Sequence, residues 1–124
     1  MNFDRSKRLF EEGQKNLVGA VNSPVRAYKS VGGTPLFIKK AKGSKIIDVD
    51  NNQYIDLVLS YGPMILGHRP KKIEKSIVKA LKNGYTFGAT SAGEIELAKI
   101  ICDAFPGMDK VRFVNSGTEA VLSA

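Results

Sequence analysis

The chain of 124 residues predicts an α/β fold: a small antiparallel meander followed by the opening of a larger layered α/β domain. Three observations predict it. Strand-like runs at 36–40, 45–49 and 54–59 are separated by Lys42-Gly43-Ser44 and Asp50-Asn51-Asn52-Gln53, residue types that supply the backbone conformations of tight reversals. After residue 70 the apolar period changes from about two to about 3.6. The chain then closes on a helix, helix, strand, helix succession, the beginning of a layered α/β domain. Residues 1–69 are thus expected to be an N-terminal segment and 70–124 the start of the large domain.

In chain order, residues 3–12 predict a short helix through Phe3, Leu9 and Phe10, ended by Gly13. Residues 13–35 hold no sustained period and are punctuated by Gly19, Pro24, Gly32, Gly33 and Pro35, which predicts an irregular loop. Loops this long are usually functional or disordered. Residues 60–70 form a second loop, apolar and marked by glycine and proline. The helix predicted at 71–81 places Ile73, Ile77, Val78 and Leu81 opposite a stripe of Lys71, Lys75, Lys79 and Lys82. Ser91-Ala92-Gly93-Glu94 has capping-box spacing. The helix that follows is expected to bury Ile95, Ala98, Ile101 and Phe105 and to end at Pro106-Gly107. A strand at 111–114 and a second helix start complete the chain.

Composition narrows the functional classes. With 43% apolar residues the chain can build a core, and its formal net charge of +7 invites a nucleic-acid reading. Basic and acidic side chains are spread through both halves, however, and no aromatic residues interleave the lysine stripe for stacking on bases. A solvated helix face accounts for the stripe, and a basic binding module is the weaker alternative. The single cysteine, Cys102, excludes an internal disulfide and sits among apolar neighbours. The single histidine, His68, leaves little room for a metal centre and reads as structural or solvated. No metal is expected. No run is long and apolar enough to span a membrane, and the first residues lack the apolar stretch of a signal peptide. A cytoplasmic protein with no membrane partner is expected.

The most informative stretch is Val111-Arg112-Phe113-Val114 running into Asn115-Ser116-Gly117-Thr118-Glu119. One reading is a plain capping box at Ser116 and Glu119. The other is a phosphate seat: a strand delivers the chain to a helix start, glycine permits close approach, hydroxyls flank it, and unpaired N–H groups face the anion. Both can hold together, since a cap uses only one or two of the free amides. The full patterns of a P-loop or a dinucleotide fold are missing.

Here the motifs Asn22-Ser23-Pro24-Val25-Arg26, Ser30-Val31-Gly32-Gly33-Thr34-Pro35, Gly84-Tyr85-Thr86-Phe87-Gly88-Ala89-Thr90 and Asn115-Ser116-Gly117-Thr118-Glu119 come together in order. The chain closely resembles the N-terminal part of the glutamate-1-semialdehyde 2,1-aminomutase family, within the class III pyridoxal-phosphate aminotransferases of fold type I. The resemblance implies that Ser116, Gly117 and Thr118 hold the phosphate of pyridoxal 5'-phosphate or pyridoxamine 5'-phosphate. It also implies that Ser23 and Arg26 hold the substrate carboxylate, a task that suits the planar donor fork of a guanidinium. Tyr61 stands where the family usually has a tryptophan lining the substrate pocket, and Pro70 replaces a second histidine. Thr90 and Ala92 replace a usual proline and glutamate.

The activity implied is conversion of glutamate 1-semialdehyde to 5-aminolevulinate, the tetrapyrrole precursor, by a homodimeric isomerase acting on a small amino-aldehyde. Family members are several times longer, and their Schiff-base lysine lies far downstream; no lysine here sits in that motif. No catalytic residue is therefore assigned within 1–124, and the chain alone is expected to be an inactive fragment. Another class III aminotransferase, acting on an ω-amino acid, is the alternative within enzymes.

Overall fold

A computed structural model describes all residues from Met1 to Ala124. They form two compact units, Met1–Lys79 and Ala80–Ala124. In the first unit, helix α1 (Asp4–Gly13) opens the chain. Its start is satisfied from two places: Asn2 Oδ1 accepts the Asp4 N–H at 2.9 Å, and the carboxylate of Asp50 accepts the amides of Arg5 and Ser6 at 2.8 and 2.9 Å. These are the amides that a helix's first turn leaves without partners. At the other end, a Cβ on Gly13 would lie 3.3 Å from that of Ala20. Helix and following turn therefore meet at glycine, and Ala20 and Ala27 form the small buried apolar centre there.

Two single 3₁₀ turns, Val18–Ala20 and Pro24–Ala27, give order to part of the predicted loop. The meander follows as expected: β1 (Ile38–Lys42), β2 (Lys45–Asp48) and β3 (Gln53–Ile55) pair antiparallel in the order β1-β2-β3. Lys42 pairs with Lys45 around Gly43, and a bulge interrupts the register between Ile38 and Lys40. The third strand is shorter than its apolar run, because the chain turns away after Asp56, whose carboxylate accepts amides of the loop that follows.

Helix α2 (Lys71–Leu81) begins directly after Pro70, whose carbonyl accepts the Glu74 N–H at 3.0 Å. Its apolar side chains Ile73, Ile77 and Val78 stay exposed. In the second unit, α3 (Ala92–Ala104) starts where the Glu94 carboxylate accepts the Ser91 N–H and hydroxyl, both at 3.0 Å. Helix α4 (Gly117–Ser123) ends the chain.

Two expectations fail in this unit. Residues 111–114 form no strand, because a strand needs a neighbouring chain for its amides and carbonyls and none lies alongside. Of the α3 face, Ala98 and Ile101 are only half-buried, while Ile95 and Phe105 remain exposed, since no layer covers that side. No helix is long and apolar enough to cross a membrane.

Candidate functional site

The terminal turn forms as a helix start. Ser116 is extended (φ −151°, ψ 160°), and its hydroxyl accepts the Glu119 N–H at 3.2 Å, an N-cap bond. Glu119 reaches back one residue further than an ordinary capping box does, accepting the Asn115 N–H at 2.7 Å. The amides of Ser116, Gly117 and Thr118 are left without a protein partner. All three residues are exposed, and a Cβ on Gly117 would meet nothing within 4 Å. The turn thus offers consecutive free donors, with open space beside them, at the positive end of a helix dipole.

Ser23 and Arg26 share one turn in the first unit. Ser23 is extended (φ −143°, ψ 128°), and Pro24 occupies the first helical position, where its fixed φ fits and its missing N–H costs nothing. The Arg26 N–H then bonds to the Ser23 carbonyl at 2.9 Å, closing the turn, and Tyr28 ends it in a left-handed conformation (φ 56°). Arg26 is exposed and has no acidic partner. Its donor fork is free for a carboxylate.

Tyr61 lies on a different loop of the same unit and is 70% exposed. It closes a turn in which Leu59, Ser60 and Tyr61 all have positive φ (51°, 55° and 64°), followed by Gly62 at 115°. Such a run is costly for residues with a Cβ. The turn is held by Asp56: its Oδ1 accepts the amides of Val58 and Leu59 at 2.9 and 3.1 Å, and its Oδ2 meets His68 Nε2 at 2.6 Å. The His68 bond, then the Leu59 amide, hold the Asp56 carboxyl below its ordinary value. The Asp56 and His68 side chains are only 8% and 15% exposed. His68 is therefore structural, as its isolation in the sequence suggested. Its partner Asp56 was missed, and the signal available was an acidic residue breaking an apolar strand pattern.

Also unanticipated is a polar cluster on the β2–β3 hairpin, read from sequence as turn chemistry alone. Asp48 is fully buried and accepts the Asn52 N–H and side-chain amide, both at 2.8 Å, and the Tyr54 hydroxyl at 2.9 Å. Asn52 donates onward to the Asn2 carbonyl at 2.6 Å. Burial opposes ionisation of Asp48, but the bonds from Asn52 and Tyr54 outweigh it and hold the carboxyl low. Burial, with the Asp48 bond and charge, pushes the Tyr54 phenol up to about 12. Every donor in this cluster is spent on the fold, so it serves structure.

The class-III aminotransferase family pattern matches residues 27–124. The chain is 56% identical over its whole length to glutamate-1-semialdehyde 2,1-aminomutase of Thermodesulfovibrio yellowstonii. It is 58% identical to that of Persephonella marina, again over its whole length. It spans 29% of the length of each of these relatives. In structure it is similar to a β-phenylalanine aminotransferase from Variovorax paradoxus, with a TM-score of 0.89 and 32% identity, covering 97% of this chain and 27% of that one. A transaminase with PLP bound gives 0.88 and 28%, covering 99% and 28%.

Proposed function

The chain belongs to the class-III aminotransferase family, and from that premise we propose that it carries the cofactor-phosphate turn and the substrate-carboxylate loop of an enzyme converting glutamate 1-semialdehyde to 5-aminolevulinate. The observation that carries this reading is sequence likeness running through the whole chain to relatives named for that reaction, well above the likeness to transaminases of other specificity. The product would feed tetrapyrrole synthesis, and the enzyme would act as a cytoplasmic homodimer, with 70–124 opening the cofactor-binding domain.

Pyridoxal phosphate fits the residues present, because three free amides and open space at Gly117 suit a dianionic phosphate. When bound, this cofactor supplies the amine carrier and electron sink that nitrogen transfer requires. The chain's own part is to bind and orient. Ser116, Gly117 and Thr118 would grip the phosphate by main-chain amides. Arg26 would take the substrate carboxylate in a bidentate pair, with Ser23 beside it, and Tyr61 would wall the substrate pocket.

The second reading, an ω-amino acid aminotransferase, is favoured by the fold-level similarity to transaminases. An assay on the completed enzyme, meaning this chain continued after Ala124 with the downstream sequence of a curated relative, separates the two. Formation of 5-aminolevulinate supports the aminomutase; turnover of ω-amino donors alone rejects it. Gly117→Pro tests the phosphate turn, because proline suits the first helical position and follows an extended residue without strain. It removes an amide with no protein partner and places a ring in the open space beside it. Cofactor affinity is expected to fall roughly ten- to a hundredfold, the worth of one charge-assisted hydrogen bond; unchanged affinity refutes the phosphate turn.

A further inference from the structure

The loop carrying Tyr61 is built to hold one conformation, and Asp56 is the residue that builds it. Three successive non-glycine residues, Leu59, Ser60 and Tyr61, stand at positive φ. A short free loop relaxes out of such a run, because each Cβ crowds the neighbouring carbonyl. It persists where the surroundings over-determine it. Two sets of bonds do so here. One Asp56 oxygen accepts the amides of Val58 and Leu59, turning the chain into the left-handed run. Within the turn, the Tyr61 N–H bonds to the Val58 carbonyl at 3.0 Å, and the Gly62 and Met64 amides bond to the Leu59 carbonyl at 3.1 and 3.2 Å.

The far end of the loop is tied to the same side chain. The other Asp56 oxygen binds His68, whose backbone exchanges two 2.8 Å hydrogen bonds with Gly43 in the β1–β2 turn. The Asp56 N–H is itself bonded to the Ser44 carbonyl at 2.8 Å, in that same turn. One carboxylate therefore joins both ends of the 56–68 loop beside the β1–β2 turn of the meander. Tyr61 stands within this loop at 70% exposure, and its ring takes no part in the bonds that fix its backbone.

The geometry points to Asp56, steadied by His68, as a positioning residue that fixes the Tyr61 ring for substrate selection. This inference rests on the assignment of Tyr61 to the substrate pocket. Asp56 touches no substrate; it acts through the turn, so its removal loosens ground-state binding and leaves the chemical step largely intact.

The test uses the completed, cofactor-loaded enzyme. Asp56→Ala is expected to raise KM for the amino-aldehyde at least about tenfold while kcat stays within about threefold and the bound-cofactor absorbance is unchanged. Asp56→Asn, which keeps an oxygen for the two amides, is expected to recover most of that loss. In a Tyr61→Ala background, Asp56→Ala is expected to add less than about twofold, because the two changes act on one element. A KM unchanged in Asp56→Ala, a loss confined to kcat, or an undiminished effect in the Tyr61→Ala background overturns the proposal. Should Asp56→Ala fail to fold, His68→Ala is read in the same way. The parent enzyme distinguishes the two failures. A parent that turns over only ω-amino donors rejects the aminomutase reading, and the KM comparison is then made with those donors. A parent inactive with both leaves the decision to crystal structures of parent and Asp56→Ala, where a Tyr61 in the same place overturns the inference and a displaced one supports it.

Discussion

Asp50 holds Ser6 across 44 residues of chain, its carboxylate 2.9 Å from the Ser6 amide and 2.7 Å from the Ser6 hydroxyl. An acidic side chain in the β2–β3 turn thus caps a helix to which it does not belong. With Asn2, it supplies the cap that Phe3 does not, and it ties α1 to the hairpin. Asp50→Ala is expected to speed amide exchange at Arg5 and Ser6 several-fold while leaving the β1–β2 amides unchanged. Exchange read by NMR or mass spectrometry checks it, and equal protection in the variant refutes the trans cap.

The same hairpin predicts behaviour at high pH. Because folding raises the Tyr54 phenol to about 12, against about 10 in an unfolded chain, the folded state keeps a proton that the unfolded state gives up. The contribution of Tyr54 is present below about 10 and is lost as the pH climbs through the folded value. Asp48→Asn removes the charge facing the phenol, and titration followed by ultraviolet absorbance is expected to show one of the four tyrosines ionising earlier. An unaltered titration curve counts against the Asp48–Tyr54 bond.

Acid acts with the opposite sign. Asp56 is held below its ordinary value by His68 and the Leu59 amide. At Asp50 burial opposes ionisation, but the Ser6 hydroxyl and the Arg5 and Ser6 amides prevail. Their contributions are complete above the unfolded value of about 3.9 and are lost as pH falls through the lower folded values. As pH falls below about 4, protection of the α1 amides is expected to weaken, and to do so with less pH dependence in Asp50→Ala. The same acid dependence in Asp50→Ala as in the parent contradicts this.

Gly67 and Gly88 make a matched pair. Gly67 stands at φ 73°, and a Cβ there would come within 2.9 Å of the Gly43 carbonyl oxygen. Gly88 has an ordinary φ and open space around it. In the completed enzyme, Gly67→Ala is expected to cost about 1–3 kcal/mol of stability, and Gly88→Ala less than about 0.5 kcal/mol. Thermal midpoints compare the two directly.

The apolar faces of α2 and α3 shape the solution behaviour of the chain alone. Ile77 and Val78 are 55% and 53% exposed, beside an apolar groove of about 480 Å³ between α2 and the 63–67 loop. Ile95 on α3 is 73% exposed. The chain by itself is expected to bind a hydrophobic dye and to sediment as associated species, with Ile77→Glu reducing both. A dilute monomer with a sharp, cooperative thermal transition would defeat this expectation.

Much of this was legible because its causes are local. The meander follows from Gly43 and the 50–53 turn, α2 from the spacing of Ile73, Ile77 and Val78, and both later helix starts from a serine with a glutamate three residues on. Ser116, Gly117 and Thr118 could be marked from sequence for the same reason, since a cap and its leftover amides lie within a few residues. The strand expected at 111–114 failed because a strand is completed by a partner outside its own sequence, and none lies beside it.

By itself, then, the sequence determined the meander, the helix periods, the free amides of the last turn and the family they belong to. The tertiary structure alone decided that Asp50 caps α1, that Asp48 is buried under Asn52 and Tyr54, and that Asp56 ties His68 to the Tyr61 turn. Helix periods and caps are set by neighbours one turn away. These carboxylates are set by groups 12 to 45 residues away or by burial, and only the folded chain brings such groups within a hydrogen bond's reach.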